Sequence, residues 1–310
     1  MNGLEDRIRA AEGRLFARYD ASVTEHLFDL KVGGSSLRLR VLEAGAGSPV
    51  LLLHPAAWFA AQWSALLPQL PDRRLLCLDF PGHGLSDGVD YRSHDPRDHT
   101  VAMLRQLLSE LGLGAVPIVG NSLGGMAALW LAIDEPRLVS RVVILGLPGS
   151  VLPGSRPDLA LALLSIPGVN RLLLSLPSSP KRSRSLLRPP LGRAALAKTP
   201  QEMFEIHHLA TRRPEFALTL ATFMQTTLRW RSPRPGIVLS DSEIAGLRQP
   251  VRFIWGEDDI YGAPEIGDRA ARLMRHATIT VHPGGHFPQL DDPERCGRCI
   301  SEFLTTKPLA

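Results

Sequence analysis

Ser122, Asp259 and His286 are side chains of the three kinds that cooperate in nucleophilic hydrolysis, and they stand far apart in a chain of 310 residues. Ser122 is the middle residue of Gly120-Asn-Ser-Leu-Gly124, with an apolar run before it and a helix-like pattern after it. A serine on a sharp strand-to-helix turn fits that setting, because the two glycines leave clearance where strand and helix approach. The hydroxyl itself is a weak nucleophile. It needs a base to take its proton, an acid to orient that base, and N–H donors for the oxyanion that develops. An ordinary glycine-bearing helix start is the competing reading, so the partners decide.

Asp259 follows the apolar run 251–255, at the end of a strand where open parallel sheets collect functional side chains. Glu257 and Asp258 stand beside it as alternative acids, and three carboxylates in a row also describe a solvated turn. Position favours Asp259. His286 lies in the segment VHPGGHFPQLDDPE, after the last strand pattern and before the last helix pattern, where Gly284 and Gly285 let the loop turn back over the sheet edge. The N–H donors are sought in LLLHPAAWFA, 51–60. Pro55 has no N–H, so Ala56 is assigned as one donor and Leu123, at the positive end of the following helix, as the second. His54 is read as holding this loop and not as moving protons.

These residues need a scaffold, and the periodicity supplies one. Short apolar runs at 37–42, 50–54, 75–80, 116–119, 142–147, 251–255 and 278–282 read as strands, with an earlier strand at 26–32 turning at Gly33 and Gly34 as a hairpin. Amphipathic stretches at 60–70, 99–111, 122–133, 263–275 and 293–304 read as helices between them. This alternation predicts an α/β fold with a mostly parallel sheet. From 149 to 235 the alternation stops, leaving only helical pattern cut by prolines. That interval carries thirteen Lys or Arg against four Asp or Glu, a net +9, while the remainder nets −5. The expected organisation is an N-terminal helical extension over 1–23, a core over 24–148 and 236–310, and a helical cap over 149–235.

A substrate chamber is expected beneath the cap. Trp58 and Met126 lie next to the donor and nucleophile in sequence and are expected to line it, together with Met203, Phe204 and Phe223 from the cap. Phe216, Met224 and Trp230 are further candidates, although apolar residues of a small helical unit also form its own core. His207 and His208 are expected at the surface. The apolar stretch 159–177, followed by the basic KRSRSLLR, is read as the underside of the cap with a solvated rim, ahead of a cover that meets lipid.

Composition narrows the function classes. With 44% hydrophobic and 21% charged residues and a net charge of +4, the chain reads as a soluble globular protein. It has no basic stripe interleaved with aromatics, so no nucleic-acid partner is expected. The charged opening MNGLEDRIRAAEGRLFARYD lacks the apolar segment of a secretory signal, which predicts a cytoplasmic location. Three cysteines give no disulfide framework. Cys296 and Cys299 form an isolated CxxC within a helical pattern, and no metal or cofactor is expected.

The order Ser122, Asp259, His286, with HPAAW at 54–58 and DFPGHGLSD at 79–87, resembles the α/β-hydrolase fold superfamily over about residues 24 to 305. The resemblance implies an eight-stranded sheet, a Ser-His-Asp triad, and hydrolysis of an ester-type bond in a small, mainly hydrophobic acyl substrate. Serine at 122 argues against the dehalogenases and epoxide hydrolases of the superfamily, which use aspartate. His54-Pro55 departs from the His-Gly common before the oxyanion residue. GNSLGG is also similar to the meta-cleavage-product hydrolases, which break C–C bonds in dienoates. That reading ranks second, because their glycine-rich oxyanion segment and the Trp after the base are not matched. A non-hydrolytic ligand-binding protein on the same scaffold is the third.

Overall fold

The computed structural model describes residues 3–176 and 178–306. Residues 1–2 of the expected N-terminal extension, Pro177 in the expected cap and 307–310 at the end of the expected core lie outside the described residues. Eight strands form one sheet: β1 (Val23–Val32), β2 (Ser35–Ala44), β3 (Ser48–Leu53), β4 (Arg73–Asp79), β5 (Val116–Asn121), β6 (Val139–Leu145), and, after a two-residue ladder of β7 (Leu228–Arg229) with β8 (Ser232–Pro233), β9 (Val251–Gly256) and β10 (Ala277–His282). Their order is β1-β2-β4-β3-β5-β6-β9-β10. β1 and β2 are antiparallel, as are β2 and β4; the remaining pairs are parallel. The fold is therefore the α/β, mostly parallel arrangement that the alternation predicts. The ladder is a departure from the all-helical expectation for 149–235.

Parallel strands covered on both faces should be apolar at every position, and β3 shows it. Leu51 and Leu53 belong to one buried cluster and Val50 and Leu52 to the other, on the opposite face. The helices that cover these faces are α1 (Leu4–Ala17), α2 (Pro96–Glu110), α3 (Leu123–Asp134), α9 (Asp241–Ala245), α10 (Pro264–Leu273), α11 (Pro288–Asp291) and α12 (Pro293–Thr305). Five more, α4 (Leu159–Leu164), α5 (Val169–Ser175), α6 (Pro180–Lys198), α7 (Gln201–Ala210) and α8 (Pro214–Thr227), make a helical insertion between β6 and β9. The expected helix over 60–70 is instead two 3₁₀ turns, Ala60–Ala65 and Leu67–Gln69. Pro68 at the start of the second turn removes an N–H that an α-helix would need. In α6 the run Pro189-Pro190 and a non-helical Gly192 (φ 70°) bend the helix sharply.

One buried cation ties the N-terminal helix to the sheet. Arg40 on β2 is 1% exposed and pairs with Glu12 of α1, Asp79 at the end of β4 and Glu25 of β1. Asp79 in turn accepts the N–H groups of Ala60 (2.6 Å) and Leu85 (3.1 Å), so the same carboxylate shapes the chain after β3 and the loop after β4. Burial pushes Glu12 up from the usual carboxylate range, against the pull of Arg40. The α1 helix also reaches the insertion, through Arg14–Glu205 (2.7 Å) and Arg18–Glu202 (2.9 Å).

Two buried imidazoles hold the same loops. His54 Nδ1–H donates to Pro55 O (2.7 Å) and Nε2 accepts from Phe80 N–H (3.0 Å). His83 pairs through Nδ1 with Pro81 O (2.8 Å) and accepts Ala57 N–H at Nε2 (3.0 Å). Both rings must be neutral to accept at one nitrogen, and burial lowers them to about 4 and about 3. His54 thus holds its loop, as its sequence context indicates, whereas His83 has no sequence signal beyond lying between Gly82 and Gly84.

Removing Arg40 leaves Glu12 and Asp79 buried without their cation, so Arg40→Leu should lower the free energy of unfolding by about 3–5 kcal/mol, measured by urea denaturation. A loss under about 1 kcal/mol would contradict the pairing described. The neutral rings also set a pH dependence. Their folded values lie below the ordinary 6.5, so the unfolded chain takes up protons first, and stability that is complete above about pH 6.5 falls as pH drops toward 4. Each ring should contribute up to about 1.4 kcal/mol per pH unit in that window, and a profile flat from pH 7 to 5 would rule out neutral burial.

Candidate active site

Ser122 sits between β5 and α3 with φ 52° and ψ −112°, a region that a side-chain-bearing residue occupies only under constraint. The packing around it supplies that constraint. A Cβ on Gly124 would overlap the Leu53 carbonyl oxygen of β3, and one on Gly120 would overlap the Gly124 carbonyl. Only glycine permits α3 to start this close to two strands, and the tight turn leaves Ser122 facing a cavity that it lines.

Asp259 and His286 meet across two loops. His286 Nδ1–H donates to Asp259 Oδ2 at 2.7 Å, with both side chains buried. The carboxylate also accepts Leu147 N–H at Oδ2 (2.9 Å) and Tyr261 N–H at Oδ1 (3.0 Å), which fixes its orientation. Glu257 and Asp258, the alternative acids, are exposed. Asp258 N–H donates to Gly284 O (2.9 Å), so the acid-bearing loop is pinned to the histidine-bearing one. The far nitrogen of the ring, Nε2, is buried without a hydrogen-bond partner, and His286 lines the same cavity as Ser122. A buried, orphaned ring nitrogen is costly unless something entering the cavity, or a rotated hydroxyl, engages it. Tyr261 stands edge-on to the ring with centroids 4.5 Å apart.

Ala56 and Leu123, the expected N–H donors, also line the cavity. In the turn after β3, Ala57 has φ 61° and its N–H is taken by His83, while Trp58 N–H closes back on Pro55 O at 3.3 Å. Leu123 opens α3, where the first N–H groups of a helix have no partner within it. The cavity measures about 1010 Å³ and runs from this point under the helical insertion. Its wall is mainly apolar, with leucines from α4, α5 and α6 and with Phe216, Phe223 and Met224 from α8.

Trp58, Met126 and Phe223 line the cavity, as do Phe216 and Met224. Met203 and Phe204 do not. They are fully buried in the cluster that α7 forms with α1 and α6, and Arg184 lies over the Phe204 ring at 5.1 Å. Apolar spacing identifies their face as buried but not which neighbours bury it, and here the neighbours are α1 and α6. Trp230, at φ 53° in the turn of the small ladder, is 50% exposed and lies away from the cavity wall. The surface expectation for His207 is also corrected. It is buried, lines the cavity, and pairs with Ser183 Oγ at 3.0 Å, and burial lowers it to about 4. His208 is half-buried beside it.

Several residues that sequence reasoning missed hold this geometry. Asn121 Nδ2 donates to Leu145 O (2.7 Å) and His286 O (3.1 Å), and its Oδ1 accepts from Gln289 Nε2 (3.0 Å), linking the serine turn to the histidine loop. Asp291 accepts Gly285 N–H (2.9 Å) and Ala195 N–H (3.0 Å), joining that loop to α6. Burial raises the Asp291 carboxyl to about 6. At the bend of α6, Pro190 O accepts the His286 N–H at 3.2 Å. The GNS tripeptide offered a signal for Asn121, being the residue next to the serine; Asp291 offered none, since it is one acid of a DDPE helix start.

The sequence and the fold have counterparts among known proteins. A 2-hydroxy-6-oxo-2,4-heptadienoate hydrolase from Pseudomonas putida is 27% identical over 274 residues, spanning 86% of this chain and 92% of its own. Carboxylesterase CesB from Bacillus subtilis superposes with a TM-score of 0.75 at 17% identity, covering 97% of this chain and 98% of its own. The 2-hydroxy-6-oxo-6-phenylhexa-2,4-dienoate hydrolase from Rhodococcus sp. superposes equally well, with a TM-score of 0.75 at 22% identity, covering 92% of this chain and 100% of its own. The same backbone thus accompanies two chemistries, and backbone likeness does not separate them. The model of the alpha/beta hydrolase family matches residues 50–298, spanning the serine turn, the acid loop and the histidine loop. This chain belongs to the alpha/beta hydrolase family.

Proposed function

We propose that the chain cleaves the bond between an acyl carbonyl and its leaving group, with Ser122 as nucleophile, His286 as general base and Asp259 orienting the ring. The observation that carries this is the buried His286–Asp259 pair, whose Nε2 is free of other partners in the cavity that Ser122 lines. In this mechanism His286 Nε2 takes the Ser122 proton as Oγ attacks the carbonyl carbon, and the N–H groups of Ala56 and Leu123 receive the oxyanion. Collapse of the intermediate expels the leaving group, which takes the proton from His286. Water then repeats the sequence on the acyl-enzyme. Asp259, held by Leu147 and Tyr261 N–H groups, keeps Nδ1 protonated and stabilises the imidazolium.

The leaving group is carbon in the first reading and oxygen or sulfur in the second. The Pseudomonas putida relative, matched over nearly its whole length, supports C–C cleavage of a dienoate-type ketone. The cavity agrees with an apolar molecule bearing a carboxylate, because its charged wall residues are Asp158 against Arg182, Arg212 and Arg213, the last of them held by Gly84 O, Ser86 O and Glu215. This reverses the ranking drawn from sequence. Ester or thioester hydrolysis is kept as the second reading on one observation: the oxyanion segment is His54-Pro55-Ala56-Ala57-Trp58 and Phe287 follows the base, where the C–C hydrolases resembled have a glycine-rich segment and a Trp.

Comparing kcat/KM for a 2-hydroxy-6-oxohexa-2,4-dienoate and for p-nitrophenyl butyrate tests the order of the two readings. The first predicts the larger value for the dienoate, and turnover of the ester alone would install the second. For either substrate, Ser122→Ala should lower turnover by about 10⁶ with the fold intact, and Asp259→Asn by about 10⁴. A Ser122→Ala protein that keeps most of its rate would overturn both.

A further inference from the structure

Exposed apolar side chains are concentrated on one part of this molecule. Ten large hydrophobic residues are exposed among the described residues, and seven of them lie between 149 and 235. Five belong to the stretch α4–α6: Leu159 at the start of α4, Leu172 and Leu173 on α5, Leu176 just after it, and Leu186 on α6. Leu173, Leu176 and Leu186 line the cavity and are also 36%, 39% and 60% exposed, which places them at its mouth. Leu159 and Leu172 do not line the cavity, yet they are 55% and 64% exposed, so containing a substrate does not account for them.

The charge around this group has one sign. Residues 159–198, which include α4, α5 and α6, contain seven Lys or Arg and no Asp or Glu. Arg171, Lys181 and Arg188 are exposed beside the leucines in sequence. Of the four carboxylates of the insertion, Asp158 stands at the edge of this group as the cap of α4, where it accepts the Leu161 N–H, and Glu202, Glu205 and Glu215 pair with Arg18, Arg14 and Arg213. A second copy of the chain on this face would bring two predominantly cationic surfaces together, seven Lys or Arg over 159–198 with Asp158 at the edge, which electrostatics opposes. An anionic lipid surface satisfies both features, since its headgroups attract the arginines and its acyl layer accepts the leucines.

We propose that the α4–α6 face docks on anionic lipid bilayers and seats the cavity mouth against the acyl layer. No helix among the described residues is long and apolar enough to cross a membrane, so the contact is peripheral. This inference goes beyond the hydrolase reading and does not rest on it.

Sedimentation of the full chain with vesicles of phosphatidylglycerol and phosphatidylcholine in equal parts, and of phosphatidylcholine alone, tests it. Binding should be at least about ten-fold tighter to the anionic vesicles at low salt and should collapse at about 0.5 M NaCl. Two independent variants, Leu159→Glu with Leu172→Glu, and Arg171→Glu with Lys181→Glu and Arg188→Glu, should each weaken it at least about ten-fold while leaving hydrolysis of a short soluble substrate unchanged. Absence of binding, equal binding to neutral vesicles, or binding that survives both variants would each overturn the proposal. So would self-association without lipid that the variants abolish, which would assign the face to a second copy. Ser122→Ala protein should bind vesicles like the parent, so loss of the hydrolase reading and loss of this one are read separately.

Discussion

The approach of α3 to the sheet is the constraint on which the rest of this structure depends. Two glycines let the helix begin against the Leu53 carbonyl, and the chain can make that turn only by holding Ser122 at a positive φ. The strain is local, but its supports are spread widely. Ser122 N–H reaches Leu145 O of β6 at 3.4 Å, Asn121 beside it grips both β6 and the histidine loop, and β5 lies between β3 and β6 in the sheet. A conformation disfavoured in isolation persists here because close-packed neighbours leave no alternative.

A second set of contacts keeps the facing loop in register. Asp79, at the end of β4, receives Arg40 on one side and the N–H groups of Ala60 and Leu85 on the other. His54 and His83 bind those loops to each other through backbone atoms, and the Ala57 N–H is consumed in doing so. The segment that carries Ala56 is therefore positioned by an ion cluster reaching back to α1. The N-terminal helix also pairs with α7, so it is shared between the sheet and the insertion.

Strand positions, the sheet's mostly parallel sense and the helical insertion were legible in the sequence because they follow from local periodicity and from where it stops. Ser122, Asp259 and His286 were legible because each lies at a strand end flanked by glycine or by a short loop. What periodicity does not encode is the partner. Met203 and Phe204 are apolar at a spacing that suits the cavity wall, but they are buried in a cluster with α1, almost 200 residues earlier, and with α6. Arg40, Asn121 and Asp291 fall in unremarkable local contexts and matter only because of residues far along the chain. The 3₁₀ turns at 60–69 show the converse, since an apolar spacing that fits an α-helix is interrupted where Pro68 withdraws an N–H.

The bend in α6 ties the insertion to the loop that carries His286. A straight helix would spend the Pro190 carbonyl on the N–H four residues on; the bent one offers it to the His286 main chain, and Asp291 adds a second tie from Ala195 to Gly285. The roof of the chamber and the loop beneath it are thus fastened at two points. The imidazole's main chain takes its place from the covering helix as well as from the sheet beneath it.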